Sequence, residues 1–290
     1  MPESSFTPGQ PHWWQWPTIL SLDAPVIALL WQALLARVVP VPLGWPQAFV
    51  LGASVWLAYA ADRWIEGWRL DPAQIRTQRH YFYQRWRWPL GIFWCVVLGT
   101  DLAVAVLGLS SREFTGGLLL LAPVFAYLLS HQLVHRHHPW RAPKEICVAV
   151  LLGAGVALFI VTAPGVPLRP LAEPLALFCL LCFANCALIS RWEKGVDQAH
   201  GQTSLVLQYR RAHQLVAALP WVLAVIAGLL IPGASGAVRS AVVCVALSGG
   251  LLGWVDLAQA HIGPRLARVL ADAALLTPLI PLLAGWRLFG

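Results

Sequence analysis

Charge is what this chain has least of. Of its 290 residues only 11% are Asp, Glu, Lys or Arg, whereas 58% are hydrophobic, and the mean hydropathy is +0.65. A soluble globular domain is about 25% charged, so this scarcity excludes a water-soluble enzyme. The apolar content likewise excludes a disordered chain. Early basic residues are missing too: no Lys or Arg precedes Arg37, so the charged n-region of a cleaved signal peptide is absent and the chain is expected to be unprocessed. Trp13, Trp14 and Trp16 read instead as an interfacial anchor, because indole rings favour the headgroup level. The six cysteines (Cys95, Cys147, Cys179, Cys182, Cys186 and Cys244) all fall in apolar stretches. Buried thiols are expected there, and neither a disulfide framework nor a zinc site is implied.

Long apolar runs are abundant. They lie at roughly 19 to 39, 46 to 66, 89 to 108, 115 to 135, 145 to 163, 173 to 190, 213 to 231, 238 to 258 and 268 to 286, each near the 20 residues needed to cross a bilayer as a helix. Proline, glycine and serine separate them, as at Pro139, Pro143, Pro164, Pro167, Pro232 and Gly263. The expected fold is all-α, a polytopic membrane protein of nine transmembrane helices around a central cavity. It would form one domain, 1–290, with an interfacial segment at 1–17 and two pseudo-repeated halves at about 46–163 and 173–286.

The basic residues orient this bundle. With the N-terminus inside, 15 of the 20 Lys and Arg fall in inner loops, and Arg37, Arg112, Arg169, Arg239 and Arg287 remain outside. The C-terminus is then outside. The net charge of +7 is thereby a consequence of topology, and a nucleic-acid partner is excluded because those residues share no soluble face. The inner loops after the second and sixth runs are the long ones.

Acids at a membrane edge are costly, so the thirteen here need reasons. Two clusters have the same form. Asp62 and Glu66 close the second run, and Glu193 and Asp197 follow the sixth. Acids four apart lie on one helical face, and Mg2+ favours one or two carboxylates plus phosphate oxygens over a full protein cage. Two such pairs suit a diphosphate gripped from both sides. The plainer alternative is pairing with Arg63, Arg69, Arg191 or Lys194 at a solvated helix end. The repetition of the pairs after runs two and six favours the shared site. Elsewhere, His131, His135, His137 and His138 read as a polar loop because no second histidine box accompanies them. Asp101 reads as a satisfied polar residue in the bundle, and Arg268 with Asp272, at i and i+4, as a salt bridge.

With these spans, the acidic motifs after helices two and six and the basic loop after helix four, the sequence resembles the UbiA superfamily of intramembrane prenyltransferases over most of its length. Members carry NxxxDxxxD in the first long inner loop and DxxxD in the second. The matching positions here are Ala58, Asp62 and Glu66, then Glu193, Asp197 and Gly201, with Thr203 or Ser204 nearby. The motif asparagine is replaced by alanine, two acids have exchanged Asp for Glu, and Ser190 stands where many members add an acid. The resemblance implies a large apolar cavity open to the membrane and capped by the two motif loops. There Mg2+, held by Asp62, Glu66, Glu193 and Asp197, binds an isoprenyl diphosphate, whose prenyl group passes to a lipophilic or aromatic acceptor. Lys144 matches a basic residue that contacts diphosphate, and Arg63, Arg141 and Lys194 are further candidates for that contact. Two other outcomes stay open: a terpene cyclase of the same superfamily, and a non-catalytic carrier or scaffold with the same fold.

Overall fold

The computed structural model describes residues 10–71, 75–130, 143–201, 204–209 and 211–285, and the described residues are helical with short connections. In chain order the α-helices are α1 (Trp16–Ile19), α2 (Asp23–Val38), α3 (Trp45–Arg69), α4 (Gln78–Arg85), α5 (Arg87–Gly108), α6 (Ser111–Leu129) and α7 (Lys144–Val161). They continue with α8 (Arg169–Trp192), α9 (Lys194–Ala199), α10 (Leu205–Gln208), α11 (Ala212–Leu230), α12 (Gly236–Ala274) and α13 (Leu279–Leu283). Within α12 the chain breaks at Gly263, whose φ of +79° is open to glycine and costly for other residues. Pro264 follows and restarts the helix in a new direction, which carries Arg268 and Asp272 back over the bundle.

Among the described residues six helices are long and apolar enough to cross a bilayer: α5, α6, α7, α8, α11 and α12. A seventh crossing results if the pair Trp13–Ile19 and Asp23–Val38, bent by 76°, is one broken span. This count falls short of the nine expected. The reasons lie in the segments themselves. Helix α2 has 16 residues, α3 carries Asp62, Arg63, Glu66 and Arg69 towards its C-terminus, and the last apolar run is divided between the end of α12 and α13.

Helix α8 occupies the middle, packed by α2, α7, α11 and α12. Its Phe178 stacks on Trp31 of α2 with centroids 4.7 Å apart, both rings fully buried. The Trp31 indole N–H donates to the Leu275 carbonyl at 2.9 Å, so even the polar edge of this buried ring is satisfied. Helices α11 and α12 approach so closely that a Cβ on Gly249 would lie 2.9 Å from the Pro220 carbonyl oxygen, and one on Gly253 would overlap the Trp221 ring. Small residues four apart allow that contact, which membrane helices need because lipid supplies no hydrophobic drive for association. At the periphery α5 and α6 leave Ile92, Leu107, Leu119 and Phe125 exposed, an apolar surface suited to acyl chains rather than to water. Asp101 of α5 is buried and accepts a hydrogen bond from Ser54 at 2.8 Å.

Candidate functional site

Helix α4 is a two-handed clamp at one end of the bundle. Thr77 caps it, accepting from the His80 backbone N–H, and neighbouring residues on a helix point about 100° apart, so Arg79 and His80 reach different partners. His80 meets Glu66 of α3 through Nε2 at 2.5 Å, and its Nδ1 meets the Thr77 hydroxyl at 2.5 Å. Burial, and then the positive charges of Arg79 and Arg63, hold this imidazole well below its ordinary range. A neutral ring bonded this way donates from Nε2 to the Glu66 carboxylate and accepts the Thr77 hydroxyl at Nδ1. Arg79 turns instead to the second motif, donating to both oxygens of Glu193 at 3.3 and 3.0 Å.

Glu193 lies where α8 ends and α9 begins, and it takes a second guanidinium. Arg268, beyond the break in α12, donates to its Oε2 at 2.6 Å. Burial pushes the Glu193 carboxyl up, but Arg268 and Arg79 outweigh it and hold the group well below the usual carboxylate range. One turn on, Asp197 accepts from Lys144 Nζ at 2.9 Å. Asp197 is 4% exposed, and its Oδ2 has no protein partner. Glu145, beside Lys144 at the start of α7, is deeper still. Its Oε1 accepts from the Ser190 hydroxyl at 2.5 Å and from the Leu205 backbone N–H at 3.1 Å, and its Oε2 is buried with no protein partner.

The motif loops expected to share a site therefore do meet, joined through α4. The paired acids act separately, however. Glu66, Glu193 and Asp197 each face a different nitrogen base, and Asp62 of α3 is half-buried one turn before Glu66. Among the described residues no group of three or more His, Cys, Asp and Glu is placed to hold a metal ion. Lys144 lies in the cluster through its bond to Asp197. Arg63 is buried and donates to the Thr18 carbonyl at 2.6 Å and the Ser21 hydroxyl at 2.7 Å, fixing the segment before α2. Lys194 is exposed on α9, which leaves it apart from the buried cluster. Arg141, Thr203 and the histidines at 131, 135, 137 and 138 lie outside the described residues. Arg191, a candidate partner for the motif acids, bonds Asp256 instead, together with the Trp192 indole N–H. The expected Arg268–Asp272 salt bridge is replaced by Arg268 with Glu193 and Asp272 with Asn185 and Asp23. The break at Gly263 brings that part of α12 against α8 and α2, where better-placed partners wait.

Arg79, His80 and Glu145 were not singled out from the sequence. The first two are one dipeptide in an arginine-rich loop, and Glu145 directly follows the Lys144 that the resemblance picked out. Below the clamp is a cavity of about 70 Å3 whose polar wall includes Asp23, Tyr59, Arg63, Asn185, Arg268 and Asp272. Ligand pockets typically enclose about 300 to 1,000 Å3, so this space fits a small group and not an isoprenyl chain.

A clamp of charged residues over a small cavity of mixed polar and apolar lining, within a bundle whose outer faces are apolar, defines an integral membrane protein with a candidate site at one end of its helices. The fold is UbiA-like. It is similar to the apo structure of a UbiA homolog from Aeropyrum pernix K1, with a TM-score of 0.60 over 90% of this chain and 97% of that one, at 17% sequence identity. No protein-family model matches the chain, and no curated protein matches it in sequence.

Proposed function

We propose that the protein binds an isoprenyl diphosphate under the α4 clamp and transfers its prenyl group to a lipophilic or aromatic acceptor. One observation carries this reading: Arg79, Arg268 and Lys144, from three separate helices, converge on the second acidic motif, where Asp197 keeps a buried carboxylate oxygen without a protein partner. Guanidinium groups suit diphosphate because their N–H donors match its oxygens in pairs. The UbiA-like fold supports the same substrate class.

The donor set fits Mg2+ in part. The unpartnered Asp197 Oδ2 suits it, and Asp62 and Glu66 of the facing motif would complete the pair of carboxylate sides. Glu193 does not fit, since two arginines occupy its oxygens. When bound there, Mg2+ would neutralise charge on the diphosphate oxygens as the bond to the prenyl carbon breaks. The protein's own part is to hold Arg79 and Arg268 at fixed positions on Glu193 so that their remaining N–H groups meet the leaving group without reorganisation. Burial of His80 and Glu66 in the clamp limits water at the reacting carbon. We place this end of the bundle, with the N-terminus, on the cytoplasmic side of the membrane.

The test is Mg2+-dependent binding and turnover of geranyl, farnesyl and longer diphosphates in nanodiscs, for wild type and for Asp62→Asn and Asp197→Asn. Losing one preorganised electrostatic contact typically costs about 100- to 1,000-fold in rate, and that loss is expected for both variants. A folded wild type that binds no prenyl diphosphate would leave the scaffold reading in its place.

A further inference from the structure

The cavity below the clamp has a carboxyl pair that the diphosphate grip does not use. Asp272, on α12 beyond the break, hydrogen-bonds Asp23 at the start of α2, and both line the cavity. Two carboxyl groups in that contact hold one proton between them, because like charges at hydrogen-bond distance cannot both ionise. Asn185 of α8, the single asparagine of the chain, fixes the pair by donating from Nδ2 to Asp272 Oδ1 at 3.1 Å. That leaves the Asn185 carbonyl Oδ1 buried, with no partner in a residue 6% exposed. A buried acceptor without a donor is uncommon in folded proteins. Its presence in the wall of a cavity beside a carboxylate points to a ligand bearing an O–H or N–H.

Resting on the prenyl-transfer reading, we propose that Asp23 and Asp272 are the proton-accepting pair of the reaction, and that their cavity receives the hydroxyl of the acceptor. The acceptor O–H donates to the ionised member of the pair, and a second donor on the ligand, or an ordered water, meets Asn185 Oδ1. In the step itself the bond between the prenyl C1 and the diphosphate oxygen breaks, its electron pair leaving on diphosphate. An electron pair of the acceptor forms the new bond to C1, and the acceptor's proton passes to the carboxylate. The pair, then doubly protonated, returns one proton to water. Positioned general bases contribute about 100- to 10,000-fold.

The groups facing the pair are Tyr59 and Arg63 on α3, Cys182 and Cys186 on α8, and Arg268 on α12, with Val148 and Leu152 of α7 closing the apolar side. Arg63 and Arg268 are engaged by Ser21 and Glu193. Titration of the pair should therefore show as an acid limb in the pH profile, where the second carboxyl takes up a proton and turnover falls.

The experiment uses the full chain in nanodiscs and farnesyl thiodiphosphate, a slowly ionising donor, as the binding probe, with farnesyl diphosphate and a set of simple phenols for turnover. Asp23→Asn and Asp272→Asn should each bind the probe as wild type does. Each keeps one carboxylate but loses the proton-sharing neighbour whose hydrogen bond stabilised its charge, so the acid limb should move to higher pH. The double substitution should lower turnover by about 100-fold or more and abolish the limb. Infrared spectra should show a protonated carboxyl in wild type at neutral pH that both single variants lose. Unchanged turnover and limb in all three variants would overturn the proposal, as would a wild type that binds the probe and transfers to none of the phenols. Failure of wild type to bind the probe would instead strike the prenyl-diphosphate reading, with the infrared band still reporting on whether the proton is shared. A variant that does not fold is recognised by loss of probe binding, and the other single substitution then carries the test.

Discussion

Arg268 donates to Glu193 at 2.6 Å across 75 residues of sequence, which ties the final helix of the bundle to the second acidic motif. Arg79 closes on the same carboxylate from α4 at 3.0 Å. A carboxylate between two guanidinium groups is a bracket: it cancels part of their repulsion and sets their spacing.

That bracket predicts a stability effect larger than a surface ion pair would give. Glu193→Gln leaves two partly buried arginines, 14% and 16% exposed, facing each other; removing one partner of a fully buried pair costs about 3 to 5 kcal/mol, against about 0 to 1 kcal/mol at an exposed site, and the cost here falls between the two. Thermal unfolding in detergent should show a clear drop for Glu193→Gln and almost none for Lys194→Gln, since Lys194 is exposed. Equal small effects would mean that the arginines find other partners without cost.

The neutral His80 gives a pH dependence of definite sign. Its pKa in the folded protein is depressed, so the unfolded chain binds more protons once the pH falls below about 6.5. Stability is then fully present above that pH and is lost as the pH drops. The melting temperature should fall between pH 7 and 5 in wild type. His80→Gln, which can still donate to Glu66, should flatten that part of the curve. An unchanged slope would move the titration to another group.

Close packing of α11 on α12 makes a prediction about side-chain size. A Cβ on Gly249 would meet the Pro220 carbonyl oxygen at 2.9 Å and the Ala224 amide nitrogen at 3.1 Å, and backbone atoms cannot rotate aside. Gly249→Ala should destabilise the protein by roughly 1 to 3 kcal/mol, the usual cost of overpacking. Gly250→Ala, with nothing within 4 Å of its Cβ, should be neutral. Parallel thermal melts of the two variants make the comparison.

Orientation is tested by labelling. Single cysteines at Gln198 and Ser235, both exposed, in a background lacking the native thiols, should react from opposite sides of the membrane, Gln198 from the cytoplasm and Ser235 from outside. The reverse pattern would invert the positive-inside assignment, and labelling of both from one side would remove a crossing between them.

The sequence by itself determined the solvent of this protein and the end of the bundle where its acidic motifs lie. Scarce charge and repeated apolar runs are properties of local composition, so they can be read without knowing which helix touches which. The two i, i+4 acidic pairs are likewise local, and they were enough to point to α3 and to the α8–α9 junction. Partners were decided only by the tertiary structure. Glu193 gives no sign in its own neighbourhood that Arg79 and Arg268 will take both its oxygens, because those residues lie 114 positions before it and 75 after it. Arg268 and Asp272 satisfied the local rule for a salt bridge, yet the turn at Gly263 offered each a partner on another helix, and desolvated charges take the geometry that satisfies them best. Asp23 and Asp272 sit at opposite ends of the chain, and only the packing of α2 against α12 makes them one group. Helical periodicity is set by the backbone over a few residues, whereas pairing of buried polar groups is set by whichever helices the apolar faces bring together.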